Sequence, residues 1–219
     1  LLSTYGIHVN RDLVMDRLSS RVSIQQRRGG FPVSRSIRYP FLPVAQNFNS
    51  GHAMTQGLRR TLFYFASSID TSATVSGVSV DPLVFSSTNS GRQQKRFMIR
   101  PAMVRQQMGS LSSGPFVLAA AYSGKFPSPF QNGRQSAPTR IVAVGDGDFV
   151  NQSVLGQQTV QQNVQLALNA ADWLGQDEAL LEIRSKTVEP RRLRSVSDSL
   201  KPWIKYANMI GPGLLVIFI

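Results

Sequence analysis

The sequence predicts an α/β protein, a sheet with flanking helices followed by the start of a transmembrane segment. Three stretches carry that prediction. Ile141-Val142-Ala143-Val144 is a continuous apolar run, mostly β-branched, that enters the Gly/Asp loop Gly145-Asp146-Gly147-Asp148. Such a run reads as a strand buried on both faces, the central strand of an α/β body. From Thr159 the period changes: Val160, Val164, Leu168, Ala171 and Leu174 recur at three- and four-residue steps, one apolar stripe of a helix packed on the sheet. Met209–Ile219 is an unbroken apolar ending, about half the roughly 20 residues that a spanning helix needs.

In chain order, residues 1–5 read as the tail of a helix broken at Gly6, followed by a short strand at Ile7-His8-Val9. Leu13–Asp16 is a strand or a helical turn. Residues 25–36 read as loop, because Gly29 and Gly30 free the backbone and Pro32 cannot donate to a ladder. Loop character continues from Tyr39 to Gly51, and His52–Arg60 fits one or two helical turns. Leu62-Phe63-Tyr64-Phe65-Ala66 reads as an interior strand. Residues 67–80 are rich in Ser, Thr and Gly, as loops or edge strands are, and Pro82–Thr88 is a further strand. Residues 89–113 are polar and basic with scattered Met, and fit an insertion, a mobile loop or an irregular helix. Phe116–Tyr122 is a strand and Lys125–Thr139 a proline-rich loop. Gly175 is placed to end the helix in a left-handed cap, and Leu180–Ile183 reads as a last short strand.

Three regions follow: an α/β domain over 1–183, a basic juxtamembrane connector over 184–205, and the start of a transmembrane helix over 206–219. The connector carries seven Lys and Arg against Glu189 and Asp198, a net of +5. Both ends read as cut, since no leader pattern opens the chain and the apolar run stops half-way through a span; a buried C-terminal strand is the alternative for that run.

The 219 residues carry 24 Lys+Arg against 12 Asp+Glu, net +12. A surface of that charge suits nucleic acid or anionic lipid, or is a solvated surface without a polyanionic partner. With no cysteine, disulfides, cysteine-ligated zinc, iron–sulfur clusters and thiol nucleophiles are excluded.

The Gly145–Val150 loop has the start of a dinucleotide-binding turn, but Val150 stands where the third glycine is needed and the helix begins late, near residue 158. Asp146 and Asp148 are hard ligands for Mg²⁺ or Ca²⁺, yet two carboxylates are too few for a site. Their expected role is to bond local backbone N–H groups and shape the turn. The candidate ligand or partner surface is therefore Gly145, Asp146, Gly147, Asp148 and Asn151. His8 and His52 have no metal-ligand partners at suitable spacing, and neither a Gly-x-Ser-x-Gly elbow nor a Gly-Lys-Ser/Thr phosphate loop is present. No catalytic residue, metal or cofactor is expected. Lys201, Trp203, Lys205 and Tyr206 combine cations with amphipathic rings just before the apolar run, the composition of an interface anchor.

Tyr5-Gly6-Ile7 with Asp12–Asp16, Val80-Asp81-Pro82-Leu83, Gly114–Ala119 with Gly124-Lys125-Phe126, Val144–Phe149 and Asn163 with Asn169–Glu178 together resemble the uncharacterised ABC-transporter auxiliary family, which includes the gliding-motility ABC-transporter auxiliary protein. The resemblance covers nearly the whole chain, and the order and spacing of the motifs carry it. It implies a Rossmann-like domain related to the class I glutamine-amidotransferase-like fold, membrane helices at both ends of full-length members, and a domain facing away from the cytoplasm beside an ABC ATPase and permease. Amidotransferase chemistry would need a cysteine nucleophile that this chain lacks. The expected function is thus a membrane-anchored, non-catalytic accessory subunit at the inner membrane, docking to the permease or an envelope partner and touching lipid through its C-terminal helix, with no nucleic acid bound. The +5 connector pulls the other way, since positive flanks favour the cytoplasmic side. Two alternatives stay open: a small-solute-binding module with its ligand beside Gly145–Asp148, and a basic nucleic-acid-binding domain.

Overall fold

The computed structural model describes residues 1–28, 31–73, 75–101, 108–131, 133–151, 153, 157–175 and 205–206. The chain divides into two compact units, Leu1–Lys186 and Thr187–Ile219. In the second unit only Lys205 and Tyr206 are described; both are exposed and helical. The expected strand at Leu180–Ile183, nearly all of the basic connector and residues 207–219 lie outside the described residues. Among the described residues no helix is long and apolar enough to cross a membrane.

The first unit is built from strands β1 (His8–Val9), β2 (Asp12–Asp16), β3 (Ser19–Arg28), β4 (Phe31–Ala45), β5 (Asn47–Phe48), β6 (Thr61–Leu62), β7 (Ile69–Asp70), β8 (Val78–Phe85), β9 (Ser90–Gln94), β10 (Val117–Gly124) and β11 (Thr139–Val144), with one long helix among the described residues, α1 (Gln157–Leu174). Short 3₁₀ turns lie at Leu2–Tyr5, Ala53–Thr55 and Met108–Ser110. Four small sheets result, ordered β11-β10-β8-β5, β3-β4-β6, β2-β9 and β1-β7, and every pairing between these strands is antiparallel. This overturns the expected Rossmann-like, amidotransferase-like α/β sheet. A parallel sheet needs a crossover, usually helical, between successive strands, and the described chain is mostly strand.

The apolar run 141–144 misled for a definite reason. Among the described residues β11 is an edge strand paired only with β10, with Ala121 opposite Val142 and Tyr122 opposite Ile141. Val142 and Val144 pack on one core cluster, with Leu83, Leu118, Phe63 and Leu166. Ile141 and Ala143 pack on a second, with Tyr122, Val78 and Phe126. An antiparallel sheet covered on both faces selects the same unbroken apolar sequence as a parallel one.

The stretch read as loop over 25–36 is the long hairpin β3–β4, with Arg28 opposite Phe31 and Gln26 opposite Val33. The run Leu62–Ala66 is not one strand. Phe63 and Phe65 donate to Pro43 and Phe41 of β4, Val14 of β2 donates to Ala66, and Ser67 donates to Gly145. The switch of partner falls at Phe65, whose φ of 53° lies in the left-handed region, which is costly for a bulky residue.

Helix α1 presents the face opposite to the predicted stripe. Asn163, Leu166, Asn169 and Trp173 are buried, whereas Val164, Leu168 and Leu174 are exposed. Gly175 keeps a negative φ and its N–H continues the helical pattern to Ala171, so no left-handed cap forms. Arg140 of β11 ends the helix instead: it donates to the Trp173 carbonyl at 2.7 Å and stacks over that ring at 4.8 Å. A cation there suits the negative end of the helix dipole.

Candidate functional site

The loop after β11 is the site that the sequence singles out. Gly145 lies so close to its neighbours that a Cβ would stand 2.0 Å from the Ser67 carbonyl oxygen. Only glycine admits that approach, which lets Gly145 accept from Ser67 N–H at 2.7 Å and donate to Leu118 at 2.9 Å. Asp146 turns inward and is buried. One of its oxygens accepts from Tyr64 N–H at 2.6 Å, the other from Asp148 N–H at 2.8 Å. Burial pushes this carboxyl above its ordinary range, and the two backbone donors oppose that. Asp148 accepts from the Asn151 amide at 3.0 Å, and Asn151 N–H donates to the Asp148 carbonyl. Phe149 is buried against Phe63 at 5.2 Å, while Gly147, Val150 and Asn151 are exposed. The two aspartates therefore point to different tasks from a metal pair, one inside the fold and one tying the outer turn.

Asp12 and Asp16 do for other loops of the body what Asp146 does here. Asp12 accepts from Ser68 N–H and Ser68 Oγ and meets Arg92 at 3.4 Å. Asp16 accepts from Leu18 N–H, Ser87 N–H and Ser87 Oγ. All three are buried carboxylates whose lone pairs are taken by loop donors, the way such groups become tolerable inside a protein. The Asp12-x-x-x-Asp16 spacing puts both on one face of β2, a signal readable in the sequence.

Two buried asparagines hold α1. Asn163 donates to the Leu62 and Phe149 carbonyls and accepts from Leu62 N–H, so one amide completes the open edge of β6. Asn169 donates to Met54 O at 2.8 Å and accepts from Gln165. His52 caps the turn at Ala53–Thr55 by accepting from Met54 N–H on Nδ1, and its ring lies 5.4 Å from Trp173. Burial lowers the affinity of this imidazole for a proton, with Arg140 adding to the effect and Asp81 opposing it.

Among the described residues no three His, Cys, Asp or Glu side chains converge as metal ligands would. Of the expected interface anchor, Lys205 and Tyr206 are exposed, and Lys201 and Trp203 lie outside the described residues. An apolar depression of about 630 Å³ opens between Leu13, Phe65, Phe97 and Ile99, rimmed by Arg11. Sequence reading missed it because its walls come from three separate stretches.

Residues 1–179 match the model of a family described as an ABC-type uncharacterized transport system, the ABC-transporter auxiliary family. The chain belongs to this family. No curated protein and no solved structure matches the chain significantly. Family membership makes it an auxiliary component of an ABC transport system, and it accords with the motifs at Asp12–Asp16, Val144–Phe149 and Asn163–Trp173. In the structure those motifs are the carboxylates and amides that pin loops to strands.

Proposed function

We infer that this auxiliary component is a non-catalytic accessory subunit that docks on the permease or ATPase of its transport system. It would be anchored at the inner membrane through residues 206–219, with its body on the periplasmic or outer side. The observation that carries the docking reading is the outer face of α1. Val164, Leu168 and Leu174 form an apolar stripe that the body leaves exposed, the kind of surface that marks a protein contact. The loop Gly145–Asn151 is tied to the buried side of the same helix, where Asn163 donates to Phe149 O at 2.7 Å. Its exposed residues Gly147, Val150 and Asn151 are a separate candidate surface. The inward ties of Asp12, Asp16 and Asp146 support the non-catalytic reading, because each carboxylate is engaged by backbone or serine donors.

The test is affinity capture of the tagged chain from its own cells in mild detergent. The ABC permease and ATPase should co-purify, and Val164→Arg with Leu168→Arg should abolish their recovery without shifting the thermal unfolding midpoint. Recovery of the wild-type chain without either subunit counts against the reading.

A further inference from the structure

The β3–β4 hairpin is an arm with two chemically different faces. Residues paired across antiparallel strands point to the same side. One face therefore carries Val22 with Ile37, Ile24 with Arg35, and Gln26 with Val33, ending at Phe31; the other carries Arg21 with Arg38, Ser23 with Ser36, and Arg27 with Pro32. Phe31 is 75% exposed and Val33 46%. The arm is rooted by Tyr39, which packs edge-on to Phe41 and Phe65 and donates its hydroxyl to the Ile99 carbonyl. That bond sets the root beside a second segment of like composition, Lys95-Arg96-Phe97-Met98-Ile99-Arg100. Lys95, at φ 67°, turns the chain off β9, and Phe97, Met98 and Ile99 are each 44–49% exposed. No Asp or Glu occurs between Asp16 and Asp70, nor between Asp81 and Asp146.

We propose that the arm and residues 95–100 form a surface that binds an anionic phospholipid bilayer. An interfacial element needs apolar side chains to enter the headgroup boundary and cations beside them to meet lipid phosphates. Phe31, Val33, Phe97 and Ile99 supply the first; Arg35, Arg96 and Arg100 supply the second. A second copy of the chain is a poor occupant, since pairing two such arms sets arginine against arginine with no carboxylate in either stretch. Nucleic acid would use the arginines and gain little from the exposed Phe, Val and Ile.

The cysteine-free chain permits a local test. Single cysteines introduced as Val33→Cys on the apolar face and Gln25→Cys on the opposite face are labelled with an environment-sensitive nitrobenzoxadiazole probe. Each is titrated with vesicles of phosphatidylcholine alone or mixed with phosphatidylglycerol. The probe at 33 should blue-shift and brighten on the anionic vesicles only, and the probe at 25 should stay unchanged. Combining Arg35→Ser, Arg96→Ser and Arg100→Ser should weaken vesicle affinity by roughly 100-fold, at about five-fold per charge. A silent probe at 33, or equal responses on both vesicle types or at both positions, overturns the proposal. So does a response to a short DNA duplex or to polyglutamate at lower concentration than to lipid. Capture of the permease and ATPase should survive the three arginine substitutions, so the two readings fail separately.

Discussion

Tyr122 and Ile141 face each other across β10 and β11 and are covered from above, whereas Gln26 and Val33 face each other across β3 and β4 and remain open to solvent. Strand pairing is the same in both regions. In the sheet body each face has a core of its own, and the carboxylate and amide that enter it are matched: Asp146 to Tyr64 and Asp148, Asn163 to Leu62 and Phe149; the hydroxyls of Ser19, Thr61 and Tyr122 are buried there without a partner among the described residues. In the distal arm the ladder is satisfied, yet the side chains bury little and no carboxylate balances the arginines. Backbone pairing alone contributes little net stability against the entropy of ordering the chain. The body is thus held by burial and the arm by its ladder, its root at Tyr39 and exposed side-chain bonds of Arg21 to Ser36 and Ser23 to Ser34, which makes the arm a surface for something else to cover.

The largest expected break in that contrast is Asn163→Ala. It leaves two carbonyls and one N–H buried without partners, so urea unfolding should show a loss of roughly 3–5 kcal/mol. Next is the pH response of His52. Its proton affinity is lowered by burial, so below its ordinary value of about 6.5 the unfolded chain takes up a proton that the folded chain resists. Stability should fall as pH drops through that range, and His52→Gln should remove that part of the slope in denaturation curves compared at pH 7.5 and 5.5. The smallest effect belongs to the arm: Phe31→Ser should change unfolding free energy by less than about 0.5 kcal/mol, as an exposed site away from the core does. A loss as large as that of Asn163→Ala would show that the arm is part of the stabilising core and erase the distinction.

Much of the local structure was legible. The break at Gly6, the turn after His52, the strand read over Phe116–Tyr122 and the helix read from near residue 158 follow from period, glycine and apolar runs, whereas Leu13–Asp16, open between strand and helical turn, is strand β2. The arm also had its signal, since two alternating segments separated by Gly29-Gly30 satisfy the two-residue hairpin rule. The density of arginine and the presence of Pro32 hid it. Pro32 is tolerated because a two-stranded ribbon has free edges where a missing N–H costs nothing. For the loop after β11, the expected turn-shaping aspartates are in place, but that one of them reaches Tyr64 could not be read from its neighbours.

The sequence by itself determined the family, the absence of thiol chemistry, the charge, and a few elements such as the strands at β10 and β11 and the helix α1, because these depend on composition and on contacts within a few residues. Tertiary structure alone decided the class of the sheet and the buried side of α1. The run 141–144 is equally apolar whether its two faces are covered by crossover helices or by two separate clusters in an antiparallel body. Likewise Asn163 and Asn169 look like an outer face until Leu62, Phe149 and Met54 arrive with the backbone groups that make burying an amide favourable.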